Sequence, residues 1–132
     1  VDEAMSCVLT YPSKAIAVLS TNCKIFLSNS VSIVGTKGSL VIHSPFWAPT
    51  KLTRLDESSK VIEEKDFPLP DSKHVFNFPN GAGMSYEAAE VRKCLKEGLT
   101  ECPLITHEDS VVLSTLEDEI RRQLGVHYPQ HD

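Results

Sequence analysis

Connectors of only two or three residues separate the β-rich runs in the first third of this chain, and that spacing limits the fold more than any other feature. The runs are residues 4–11 (AMSCVLTY), 15–27 (AIAVLSTNCKIFL), 30–35 (SVSIVG) and 39–44 (SLVIHS), joined through PSK, SN and TKG. A parallel neighbour needs a crossover of about a dozen residues or more, usually a helix, so these strands are expected to run antiparallel to their neighbours. Along the first run Met5, Cys7, Leu9 and Tyr11 fall on one face and Ala4, Ser6, Val8 and Thr10 on the other. Both faces are apolar enough to be covered. Once helices pack on one face, the other is left to contact a second copy of the chain.

Most of the prolines fall between residues 45 and 80, beside the charged stretch RLDESSKVIEEKD. This region reads as an edge strand pair, TKLTRLD and KVIEEKDFPL, turning at Glu57-Ser58-Ser59, with the ladder broken at FPLPDSKH. Two amphipathic helices follow. The first carries Met84, Ala88, Val91 and Leu95 in one stripe and stops at Gly98. The second runs over 108–124 with Leu113, Leu116, Ile120 and Leu124 inward. Its Thr106 cap and acidic Glu108 and Asp109 mark the start, and Arg121 and Arg122 the last turn before Gly125. The expected class is α+β: an open, largely antiparallel sheet with two amphipathic helices packed on one face, as a single domain over residues 1–132. Because VDEAMSCVLTY already reads as strand from Val1, the chain is expected to be a piece of a longer protein.

A length of 132 residues with 41% hydrophobic and 23% charged residues suits one globular domain. The net charge of −5 comes without a basic cluster, which argues against nucleic acid and anionic membrane as partners. The four cysteines form no C-x-x-C pair, no N-x-[ST] sequon occurs, and no apolar run exceeds strand length. A reduced, cytoplasmic protein is expected.

Candidate chemistry is mostly eliminated by spacing. GTKG at residues 35–38 leads from strand to strand and reads as a hairpin turn, not a phosphate cradle. GAG at 81–83 precedes a helix, but a dinucleotide fingerprint would need glycine where Tyr86 stands. A tyrosine-lysine pair on one helical face fails, since Glu90 follows Tyr86 and Ala15 follows Tyr11 at the required offset. Glu63, Glu64 and Asp66 lie on a strand expected to be solvated. His127 and His131 are separated by Pro129 beyond the second helix, and His43 and His74 are isolated, so neither a catalytic set nor a metal site is expected. Aromatic rings remain: SPFWAPTKL brings Phe46 and Trp47 to a strand exit between two prolines, and FNFPNG brings Phe76 and Phe78 to another. Such rings either plug a core or wall a concave site.

The segments SVSIVGTKGSLVIHSPFWAPTKL, FPLP, FNFPNGAGMSYEAAEVRKCLKEG and LEDEIRRQLGV, with the closing YPQ, resemble the C-terminal part of the glucose-fructose oxidoreductase/inositol dehydrogenase/MocA family. NGAGMSYEA and the proline-flanked Trp47 point to its dihydrodiol branch. The resemblance implies a two-domain NADP-dependent oxidoreductase of trans-dihydrodiols and aldopyranoses such as D-xylose. In that arrangement an N-terminal Rossmann domain holds NADP and the catalytic residues. The present chain supplies the substrate-binding and dimerisation domain. It also implies Trp47, Phe76 and Phe78 as substrate wall, a homodimer through the open sheet face, and a fragment that alone is inactive and binds no cofactor. The competing expectation is a non-catalytic binding or scaffold module that kept only this domain.

Overall fold

The computed structural model describes residues 3–128. In chain order these form β1 (Ala4–Thr10), β2 (Ile16–Asn22), β3 (Val31–Gly35), β4 (Gly38–Ile42), β5 (Lys51–Leu55) and β6 (Val61–Asp66), then α1 (Met84–Lys96) and α2 (His107–Leu124). The class is α+β with antiparallel strands, as expected, and the strands divide into a two-stranded sheet, β1-β2, and a four-stranded sheet, β3-β4-β5-β6. The chain separates into two compact units, residues 3–27 with 101–128, and residues 28–100.

In the first unit β1 and β2 form a hairpin whose register pairs Val8 with Val18 and Thr10 with Ile16 on one face, and Cys7 with Leu19 and Leu9 with Ala17 on the other. The Met5, Cys7, Leu9 face is half-buried, while Val8 and Val18 are 62% and 68% exposed. β2 is shorter than its apolar run, and it does not pair with β3. The reason is Asn22, whose Oδ1 accepts from the backbone N–H groups of Lys24 at 2.8 Å and Ile25 at 3.0 Å. A side chain that takes these donors draws the backbone out of the ladder, so residues 23–30 form an irregular link instead of a hairpin.

α2, in the same unit, begins with a capping box. Thr106 Oγ1 accepts from the Asp109 N–H, and the Asp109 carboxylate accepts from the Thr106 N–H at 2.9 Å. The helix ends on Gly125 at φ 67, the left-handed conformation that suits glycine there. Leu116 and Ile120 are half-buried, whereas Leu113 and Leu124 stay exposed.

The second unit is built on a meander of adjacent hairpins. Gly35 and Gly38 face each other across the β3-β4 turn. Gly38 sits at φ +128, and a Cβ there would lie 2.1 Å from the Leu55 carbonyl oxygen, so the GTKG segment is a hairpin that requires glycine. The β5-β6 turn is fastened by Asp56 Oδ1, which accepts from Ser58 N at 2.8 Å and Lys60 N at 2.9 Å. β6 is exposed along its length, as an edge strand rich in charge can be. α1 is closed at its C-terminus by Gly98 at φ 70, with the Leu99 N–H reaching back to the Cys94 carbonyl. Its apolar stripe remains open, Met84 and Leu95 each being 72% exposed.

The last turns of α2 supply a pH test. The Glu119 carboxylate accepts two hydrogen bonds from Arg122, at 2.7 and 2.6 Å, and one from Gln123 at 2.7 Å. These bonds, Arg122 first, pull its pKa from 4.5 down to about 2. Because the folded value lies below the ordinary one, the pair favours the helix at neutral pH, and its contribution fades as pH falls from 4.5 toward 2. Carbon-detected NMR of the Glu119 carboxyl should therefore give a midpoint near 2, returning toward 4.5 in Arg122→Gln; a midpoint near 4.5 in the parent sequence would contradict the pairing.

Candidate functional site: a cavity between two aromatic loops

β5 is antiparallel to both of its neighbours, with Ile42 opposite Leu52 and Lys51 opposite Asp66. The exit of β4 and the exit of β6 therefore lie at the same end of the sheet. The first exit is the loop 43–50, which carries Phe46 and Trp47, and the second is the segment 67–83, which carries Phe76 and Phe78. Two further backbone bonds keep them close after the strands end: His43 N–H to Lys51 O at 3.2 Å, and Phe67 N–H to Thr50 O at 2.8 Å.

A polar chain on one sheet face fixes the root of the Trp47 loop. Thr53, only 5% exposed, donates from Oγ1 to Glu64 Oε1 at 3.3 Å and lies 2.8 Å from His43 Nε2. Since the hydroxyl proton is directed to the carboxylate, the imidazole bears its hydrogen on Nε2 and donates it to Thr53. Lys51 closes the chain with an ion pair to Glu64 at 2.8 Å. The Lys51 hydrogen bond holds the Glu64 carboxyl below its usual range, and the same bond raises the Lys51 ammonium. Glu64 is thus bonded as well as solvated, while Glu63 makes a looser pair with Arg54 at 3.6 Å.

Within the loop, Phe46 N–H donates to Asn29 O at 2.9 Å and Ala48 N–H to Pro45 O at 3.1 Å. The Ser44–Pro45 bond is cis, and the Phe46 and Trp47 rings meet edge to face, 5.5 Å apart at 76°. On the opposing segment Asn80 adopts φ 56, ψ 23 and starts a short 3₁₀ turn, Gly81–Gly83, that leads into α1. Asn80 Nδ2 crosses to the Ala48 carbonyl at 2.8 Å. Gly81 is needed by close approach: a Cβ there would lie 2.8 Å from Phe76 Cβ. At Gly83 a Cβ would meet Leu69 at 3.4 Å and Ala48 at 3.9 Å, ordinary contact distances, so crowding does not require glycine there.

Between the two segments is a cavity of about 680 Å³, within the usual range for small-molecule sites. Trp47, Leu69, Phe78, Pro79 and Met84 give it apolar walls, and Asn80, Tyr86 and Glu87 bring polar groups to it. Tyr86 Oη makes a long bond of 3.5 Å to the Pro68 carbonyl. Trp47 and Phe78 are 58% and 78% exposed in this chain.

Of the three aromatic residues singled out from the sequence, Trp47 and Phe78 line this cavity together, and Phe76 instead packs its side chain against the Gly81 backbone. Leu69, Asn80, Met84 and Tyr86 were not among the candidates. Only Asn80 left a local signal, an Asn-Gly step at a turn; the others arrive by tertiary folding. His43 belongs to the root of the loop, and His74 takes part in a local turn with Ser72. His127 and His131 cannot be compared, because His131 lies outside the described residues.

The two aromatic strand exits of this α+β chain border an apolar concavity, the kind of place where small-molecule sites commonly occur. No family model matches the chain. Over 98% of its length it is similar to trans-1,2-dihydrobenzene-1,2-diol dehydrogenases: 43% identical over 129 residues to that of Xenopus tropicalis, 42% over 131 to that of Sus scrofa, and 38% over 130 to that of Homo sapiens. The resemblance to the dihydrodiol branch therefore stands. The chain spans about 37% of the length of these curated relatives.

Proposed function

We propose that residues 1–132 act as the C-terminal, substrate-facing and dimerisation domain of a cytoplasmic, NADP-dependent oxidoreductase of trans-dihydrodiols and aldopyranoses such as D-xylose. The observation that carries this reading is the pairing of Trp47 and Phe78 across one apolar cavity, supported by the similarity to dihydrodiol dehydrogenases. A flat, apolar ring fits between such walls and gains from the area it removes from water, about 25 cal/mol per Å². The hydroxyls of a diol or sugar then meet the polar edge formed by Tyr86 and Glu87. Phe76 supports the wall indirectly, by fixing the Gly81 corner.

The residues present do not suit NADP itself. The glycine-rich segment that opens α1 is closed over by Phe76 at Gly81, where a pyrophosphate would need free backbone, and the Gly35–Gly38 turn joins two strands. On this reading cofactor binding and hydride transfer belong to a Rossmann domain outside residues 1–132. This chain's contribution is to hold the substrate ring and exclude water around it.

No helix among the described residues is long and apolar enough to cross a membrane. For the dimer, the support is the exposed row of Val8, Ile16 and Val18 on the β1-β2 hairpin. Sedimentation of the full-length enzyme should give a dimer that Val8→Lys with Val18→Lys weakens; a strict monomer at high concentration contradicts this part of the reading.

For the site, Trp47→Ala in the full-length enzyme should raise KM for an aromatic dihydrodiol about tenfold, which corresponds to about 1.4 kcal/mol. Because the ring is more than half exposed, the same change should move the melting temperature little, unlike the loss of a buried tryptophan at about 3–5 kcal/mol. The rise should be smaller for D-xylose, which offers less apolar surface. Collapse of stability with unchanged kcat/KM would remove Trp47 from the substrate wall.

A further inference from the structure

We propose that Asn80 is a positioning residue for the substrate wall, clamping the Trp47 loop to the Phe78 corner and so setting the width of the cavity; this rests on the reading of the cavity as the substrate site. Its Nδ2 donates to the Ala48 carbonyl at 2.8 Å, a partly buried bond between residues 32 apart in sequence. Ala48 adjoins Trp47, and its own N–H is held by Pro45, so the bond acts on the rigid turn that carries the ring. On the other side Asn80 sits two residues after Phe78, and the Gly81 and Gly83 N–H groups turn back to Phe78 and Asn80. One side chain thus ties together the two backbones that bear the lining rings Trp47 and Phe78.

The residue type is chosen by two demands at once. The backbone at φ 56 needs a residue tolerant of the left-handed region, and the Ala48 carbonyl needs a donor. Glycine meets the first demand and not the second. Aspartate has nearly the same shape and tolerance but offers only acceptors when ionised. Asparagine satisfies both. The backbone bonds at the two strand exits, His43 N–H to Lys51 O and Phe67 N–H to Thr50 O, still hold the segments at their roots, so losing the clamp should loosen the wall without opening the fold.

The test uses Asn80→Gly and Asn80→Asp in the full-length enzyme, with Trp47 emission taken as the difference from a matching Trp47→Phe variant. Both substitutions should raise acrylamide quenching of Trp47 about twofold and raise KM for an aromatic dihydrodiol up to about tenfold, the upper end for one hydrogen bond. kcat should stay within about twofold. Unchanged quenching in both variants overturns the proposal whatever the kinetics do. A lowered melting temperature with unmoved quenching and KM also overturns it, because Asn80 would then serve the fold alone. Quenching that rises while KM stays constant upholds the clamp and instead removes the cavity from substrate binding.

Discussion

The register of β5 between its two antiparallel neighbours is the constraint on which the site depends. With Ile42 opposite Leu52 and Lys51 opposite Asp66, the ends of β4 and β6 emerge side by side, and whatever sequence follows each strand must start from the same edge. Two aromatic segments far apart in sequence become the two walls of one cavity for this reason. A slip of one residue would turn Thr53 off the face where it meets His43 and Glu64 and leave Lys51 without its carboxylate. The polar chain therefore favours the register that places the loops.

Few side chains are buried. Among the described residues only Cys94 and Thr53 fall in that class, in a chain that spans about 37% of the length of its curated relatives. The exposed apolar residues of β1, β2 and α1 are surface that this chain alone does not cover.

Much of this was legible in the sequence, for physical reasons. Short connectors force antiparallel pairing, and β3 through β6 follow the runs read from the residues within a few positions. Gly38, Thr106 and Gly125 mark a turn and two helix ends because each residue type suits a specific backbone conformation or bond. The antiparallel pairing expected across the SN connector between β2 and β3 does not form, since nothing in an apolar run reveals that the Asn22 side chain will capture the next backbone donors. Of the rings read from the proline-flanked strand exits, Trp47 and Phe78 line the cavity and Phe76 lies against Gly81, a division that no local pattern announces. The Asn-Gly step marked Asn80 as a turn residue, but its bond to Ala48 was hidden because the partner lies 32 residues away, and no local pattern encodes such a contact.

The central claim is that the cavity between Trp47 and Phe78 receives the substrate ring. Fluorine NMR of the full-length enzyme labelled with 5-fluorotryptophan, with the Trp47 resonance assigned by its loss in Trp47→Phe, reads that contact directly. Addition of a trans-dihydrodiol should shift this resonance and saturate as the site fills, and Phe78→Ala should weaken the titration. A Trp47 resonance that stays in place at saturating substrate, while the enzyme still turns over, would contradict the account.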